Sequence, residues 1–362
     1  MKFSVLAQRL LAQAPVALPV ALAALLSVAT ASADAVRKTN NQRIAGTVTA
    51  VTPYDVTVDV GGTPQKLPVN EVDAVEFDGE PPEIKLVRGA FKNGGDQNVL
   101  VQLQKINAAS LTKKELKQDY DFYAAASKAR LALRGAGPVK QAGGLMFTFV
   151  TTHPDSYHLL QAQEMLGELL VADGNVAAAL TTYAELEKAP YDEFKMRAGT
   201  ARGRAYMSQQ KYAEALAEFE KVLALPFNPM TQKGTPSESQ RFAAVLGRAQ
   251  CQAGTGKYDE AIKELEGNVI ANLNPEESAM QAQAYVTLGN CYNAKPDGKK
   301  SALLAFLHVD VLYGNVGPAH AEALWNLSNL WTDIGKNERG QECLNRLNRL
   351  YPGSPWITKK RA

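Results

Sequence analysis

One stretch, Met196 to Pro226, constrains this chain more than any other. It reads MRAGTARGRAYMSQQKYAEALAEFEKVLALP. Gly203, Tyr206, Ala215, Phe219 and Pro226 stand at the spacings of two helices joined by a tight turn, a unit that recurs along a chain. Small Gly203 and Ala215 let the helices approach, Tyr206 and Phe219 fill the space between them, and Pro226 stops the second. One such pair cannot cover its own apolar face, so copies are required on both sides.

The copies are there. Before the reference stretch stand Leu166-Gly167, Leu170, Ala179, Tyr183 and Pro190. After it come Leu246-Gly247, Gly256, Ala261 and Leu265, with two extra residues assigned to the turn, then Leu288-Gly289, Tyr292, Ala302 and Phe306. The last has Leu327-Ser328, Trp331, Gly335, Gly340, Leu344 and Pro352. A degenerate unit covers Asp119 to Pro154, with Gly137, Ala142 and Phe149. Another precedes it, with Ile84, Val87, Val99 and Leu103 about Gly94-Gly95. The first-helix markers Gly167, Gly203, Gly247, Gly289 and Ser328 are 36, 44, 42 and 39 residues apart. The excess over a period of about 34 is assigned to long connections, above all the polar Pro226–Ser239, expected to be a mobile loop.

These units resemble the tetratricopeptide repeat, closely over residues 155–353 and loosely over 80–154. The resemblance implies a mainly α chain, a right-handed α-solenoid of about seven helix pairs. The ending Leu350-Tyr351-Pro352-Gly353-Ser354-Pro355-Trp356 is similar to repeat ends in exported bacterial cell-envelope proteins of this kind. The first cysteine is Cys251, so the lipidated cysteine of outer-membrane assembly lipoproteins is missing.

Residues 34–79 follow a different period. Ile44, Val48, then Val56, Val58, Val60, then Leu67, Val69, then Val72, Val75, Phe77 alternate with polar residues, with turns at Pro53-Tyr54-Asp55 and Gly61-Gly62. Four short strands are expected, as a meander or SH3-like barrel that caps the array, after a polar stretch Arg37–Gln42. Residues 1–33 read as a signal peptide: Lys2 and Arg9, an apolar run Leu10–Val28 broken by Pro15 and Pro19, then Ala31-Ser32-Ala33. Cleavage is expected near Ala33-Asp34, with release to the periplasm or outside the cell and no stable membrane insertion afterwards. Residues 354–362 form a C-terminal tail.

Thirty-nine Lys+Arg against 37 Asp+Glu gives +2, which provides no footprint for nucleic acid. No enzyme signature is present. His153, His158, His308 and His320 lack metal-ligand spacing, and Gly254-Thr255-Gly256-Lys257 lacks the strand and the Ser/Thr of a phosphate loop. Cys251, Cys291 and Cys343 lie in predicted helices and read as small packing residues, with one disulfide as the alternative. The chain is therefore read as non-catalytic and without a cofactor.

The expected function is protein–protein interaction through the concave groove. Counted from each marker, offsets −6, −3, +1 and +4 share one helix face, and the resemblance implies that this face lines the groove. At −6 stand Gln161, Arg197, Arg241, Gln283 and Glu322, and at +1 Glu168, Arg204, Arg248, Asn290 and Asn329. Trp325 falls on the same face. Arg197, Arg204, Arg241, Arg248, Asn290, Trp325 and Asn329 are thus expected to hold a partner's acidic or C-terminal segment. In a structural alternative, Glu164 and Glu168 neutralise Arg197 and Arg204. A second functional reading makes the β module a carbohydrate- or peptidoglycan-binding unit and the array a spacer.

Overall fold

Two small antiparallel sheets precede the helices. The computed structural model describes residues 34–272 and 277–359, and the proposed signal peptide lies outside them. Strands β1 (Ala35–Lys38), β2 (Arg43–Ala45), β3 (Thr47–Val51), β4 (Asp55–Val60), β5 (Thr63–Pro68) and β6 (Val72–Glu76) form sheets of order β2-β1-β6 and β3-β4-β5. Val36 stands opposite both Ile44 and Val75, and Val48 opposite Val58. Gly61 and Gly62, both left-handed, close the β4–β5 hairpin.

The expected count of four strands is corrected to six. Arg37, expected in a polar linker, belongs to β1, the central strand of its sheet. β1 contributes only Ala35 and Val36 to the core. Its pattern is too short to reveal a strand whose partner β6 lies nearly forty residues away.

Among the described residues, fourteen helices form seven pairs. The first four are α1 (Pro82–Lys92) with α2 (Asp96–Leu103), α3 (Lys114–Leu133) with α4 (Val139–Thr152), α5 (Leu159–Ala172) with α6 (Val176–Leu186), and α7 (Asp192–Ser208) with α8 (Tyr212–Ala224). The other three are α9 (Pro236–Gly254) with α10 (Tyr258–Glu264), α11 (Ser278–Asn293) with α12 (Lys299–Leu312), and α13 (Gly317–Asp333) with α14 (Asn337–Leu350). α10 runs on into a π-helical stretch, Leu265–Ile270. Prolines at the first or second position start α1, α9 and α13, and the Asn175 and Thr235 side chains cap α6 and α9. Cys251, Cys291 and Cys343 are free and buried. No described helix is long and apolar enough to cross a membrane.

From α3 onward, successive first helices pack against one another, and successive second helices make no comparable contact. The array is therefore narrower along its first helices, and that side is the inner one. Aromatic rings from second helices lock each pair: Tyr183 lies over Gly167, Phe219 over Gly203 and Phe306 over Gly289.

The fifth pair has a different register from that read in its sequence. Turn residues with positive φ occur at Gly174, Gln210, Gly256 and Gly335. Gly174, Gln210 and Gly335 each lie seven residues after their marker (Gly167, Gly203, Ser328). Counting back seven from Gly256 gives Ala249, not Gly247. Ala249 precedes Ala261 by the same twelve residues that separate Gly203 from Ala215, and packs in one cluster with Ala261 and Leu265. Gly247 instead faces backward, against Phe219 of the preceding pair. The turn holds no extra residues; the marker was displaced by two.

Candidate functional site

The inner face carries one side chain per helical two turns from each first helix. On α7 these are Arg197 and Arg204, and on α5 Gln161, Glu164 and Glu168. Arg197 Nε donates to Glu164 Oε1 at 3.0 Å, Nη2 also meets Glu164, and Nη1 reaches Glu193 at 3.4 Å. Burial opposes its charge, but Glu164 and Glu193 outweigh that and raise its pKa. Arg204 is exposed and makes no ion pair with a described residue. Of the two neutralising pairs considered from the sequence, Arg197–Glu164 forms and Arg204–Glu168 does not.

Glu168 opens onto the groove, yet stands in its crowded floor. Desolvation, then repulsion from Glu164, push its pKa up to about 7, against the pull of Arg204 and Arg197. Its charge thus changes near neutral pH, directly across from the uncompensated Arg204.

Arg241 and Arg248, expected on this face, are not there. The two-residue displacement of the marker rotates the assignment by about 200°, to the far side of α9. Arg241 Nη1 donates to the carbonyls of Leu223 and Leu225 at 2.9 and 3.3 Å and lies over the Phe227 ring. Arg248 Nη2 donates to Glu264 at 2.8 Å, sixteen residues on, as Arg202 does to Glu218 at 3.0 Å. Arg248 is the counterpart of Arg202, a clasp between the helices of one pair. Ala243 and Gln250 take the inner positions instead. They line a recess of about 550 Å³ with Arg204, Glu277, Met280 and Gln283.

Further along, Asn290 Nδ2 donates to Glu322 Oε1 at 2.9 Å, joining α11 to α13. Asn329 is half-buried on α13. Trp325, expected to be open to a partner, is covered by the chain's own end. Its ring lies 5.2 Å from Trp356, its Nε1 donates to the Lys359 carbonyl at 3.3 Å, and the Lys359 ammonium sits over both rings. A lone tryptophan on a helix gives no sign that a tail thirty residues away returns to it.

The sequence reading also missed a buried polar knot between the β module and the array. Asp119, fully buried, receives Arg88 Nη2 at 2.8 Å, the Tyr157 hydroxyl at 2.7 Å and His158 Nε2 at 3.0 Å. Arg88 also donates to Glu80 at 2.6 Å and to the Val75 carbonyl at 2.7 Å. Burial alone would raise the Asp119 pKa and depress that of Arg88, but each partner outweighs it, and both stay charged. Burial holds His158 below its ordinary value, hence neutral, with its ring stacked on Phe122 at 3.8 Å. Adjacent Tyr157 and His158 opening a helix were the only local signal. Among the described residues no three His, Cys, Asp or Glu side chains group as metal ligands would.

Comparison with known proteins agrees with this architecture. Residues 200–267 match the model of the tetratricopeptide repeat. No curated protein matches the sequence. A tetratricopeptide repeat protein from Parabacteroides merdae superposes with a TM-score of 0.53 at 15% identity, over 76% of this chain and 94% of that one. The apo form of RapI superposes with a TM-score of 0.54 at 9% identity, over 74% of this chain and 98% of its own. At such identities the likeness is one of fold. The chain is a tetratricopeptide-repeat protein with a small β module before its array, a fold whose general use is non-catalytic protein–protein interaction.

Proposed function

We propose that this tetratricopeptide array is an exported, non-catalytic scaffold of the cell envelope that holds an extended, acidic segment of another protein along its inner face. The observation that carries the reading is Arg204. It is exposed, without an ion pair among the described residues, and opens on a recess walled by the amides Gln250 and Gln283. A guanidinium fork with adjacent amides suits a carboxylate and the peptide groups beside it. Export is supported by the tripartite sequence of residues 1–33 and by the fold beyond it. Cleavage between Ala33 and Asp34 leaves β1 whole, and the Asp34 carboxylate accepts from the Val48 and Asp78 amides at 3.2 and 2.8 Å. The β module reads as a cap: Tyr191 on α7 donates to the Tyr54 carbonyl at 2.6 Å, and Lys113 pairs with Asp34 at 3.2 Å. A binding unit carried on a spacer would not need these ties.

Affinity purification from the native envelope with Arg204→Ala and Arg248→Ala separates groove from clasp. A partner retained by Arg248→Ala and lost with Arg204→Ala supports the reading; equal retention by both overturns it. Mass spectrometry of the exported protein should find Asp34 as its first residue.

A further inference from the structure

A second recess lies beneath the β module, and Arg204 is not in its wall. It holds about 360 Å³, bounded by the β module, α1, α3, α5 and α7. Five cations (Arg37, Arg88, Lys92, Arg130, Arg197) and two carboxylates (Asp73, Glu193) line it, beside the rings of Phe91, Phe122 and Phe194. Each cation already has a protein partner. Arg37 and Lys92 share Asp73 at 2.8 and 3.1 Å, Arg88 holds Asp119, and Arg197 holds Glu164. Arg130 donates to the Phe91 carbonyl at 2.9 Å, with its guanidinium over that ring. The field inside is positive but no guanidinium fork is free, which favours a single negative charge over a phosphate dianion.

Two polar groups in this wall have no partner among the described residues. Tyr123 is 3% exposed, and nothing in the protein bonds its hydroxyl. Asn70 Oδ1 is shut off from solvent and unbonded, while its Nδ2 donates to Glu193 Oε2 at 3.3 Å, which fixes the free end of the amide as the acceptor. Buried polar groups are nearly always paired, and these two ask for opposite things. The hydroxyl can donate to an anion; the amide oxygen needs a donor. Beneath them the Arg88–Asp119–His158–Tyr157 knot holds the wall rigid.

We propose that this recess binds a small monocarboxylate carrying an amide N–H and an apolar side chain, either a free N-acylated amino acid or the last residue of a polypeptide. The Tyr123 hydroxyl and the surrounding cations receive the carboxylate, Asn70 Oδ1 receives the N–H, and the phenylalanine rings receive the side chain. The inference does not depend on the groove reading, since Arg204 and this recess share no wall.

Isothermal titration calorimetry of the purified protein with N-acetyl-phenylalanine tests it. Saturable binding is expected, at least tenfold weaker for the corresponding amide and absent for inorganic phosphate. Tyr123→Phe should weaken binding at least fivefold with an unchanged melting temperature, while Arg204→Ala leaves it intact. A peptide of four alanines and a C-terminal phenylalanine that binds more tightly than the free acid identifies a chain end as the ligand; equal affinity identifies the free acid. No saturable heat, equal binding of acid and amide, or an unaltered Tyr123→Phe overturns the proposal.

Discussion

The Phe219 ring of α8 fills the space above Gly247 of α9, so closely that a Cβ at Gly247 would stand inside van der Waals distance of three ring atoms. The same ring is pressed on its other side by Gly203, where an added Cβ would come within 2.6 Å. Phe219 is fully buried and cannot swing away. Gly247→Ala should therefore destabilise the protein by about 1–2 kcal/mol, since overpacking of about 1–3 kcal/mol exceeds the helix-propensity gain of about 1 kcal/mol. Urea unfolding checks this, and a more stable variant would show that the two pairs are not locked through this ring.

Arg88→Met should cost more. It leaves the Asp119 charge at full burial with only His158 and Tyr157 as donors, a loss of about 3–5 kcal/mol by analogy with broken buried pairs. The sign with pH follows from the depressed Asp119 pKa: its contribution is present above the ordinary carboxylate range and is lost as pH falls through its native value. Denaturant midpoints of the two proteins should converge in acid.

Glu168 has the opposite sign. Its native pKa of about 7 exceeds the usual value, so the folded state holds a proton that the unfolded state has released. Stability falls as pH rises from the ordinary carboxylate range to about 7. Glu168→Gln should melt with the parent protein near pH 4 and above it near pH 8, by a small margin because the side chain is open to the groove. Melting curves at the two pH values decide it.

Gln210 occupies the left-handed turn position with φ 59°, where the third, fifth and seventh pairs have glycine. An L side chain there costs about 1–2 kcal/mol, partly offset by the greater freedom of glycine in the unfolded chain. Gln210→Gly should stabilise the protein by about 0.5–1 kcal/mol in thermal unfolding, and no gain would mean that the turn tolerates the side chain freely.

Local pattern carried most of this fold. Ala215 and Ala261 lie twelve residues after their markers, and Tyr183 and Phe219 sixteen, so the helix pairs can be read within one repeat. Features set by distant partners could not be read in that way. β1 needs β6, Trp325 needs Trp356, and Asp119 needs Arg88 and His158 from two other helices. The candidate groove was half legible for the same reason. Arg197 and Arg204 sit in a repeat whose marker is unambiguous. Gly247 imitates a marker because Phe219 of the neighbouring pair demands a small residue there, and this displaced Arg241 and Arg248.

The tie from Tyr191 to the Tyr54 carbonyl, with that from Glu193 to Asn70, has a consequence for synthesis. The chain emerges from its N-terminus onward, and these fasteners are made more than a hundred residues after the strands they secure. Until α7 is complete, the recess beneath the sheets has no floor on that side. A ribosome-released fragment ending before Tyr191 should therefore keep helices but bind no acid, so ligand capture would report that the first four pairs have come together in order.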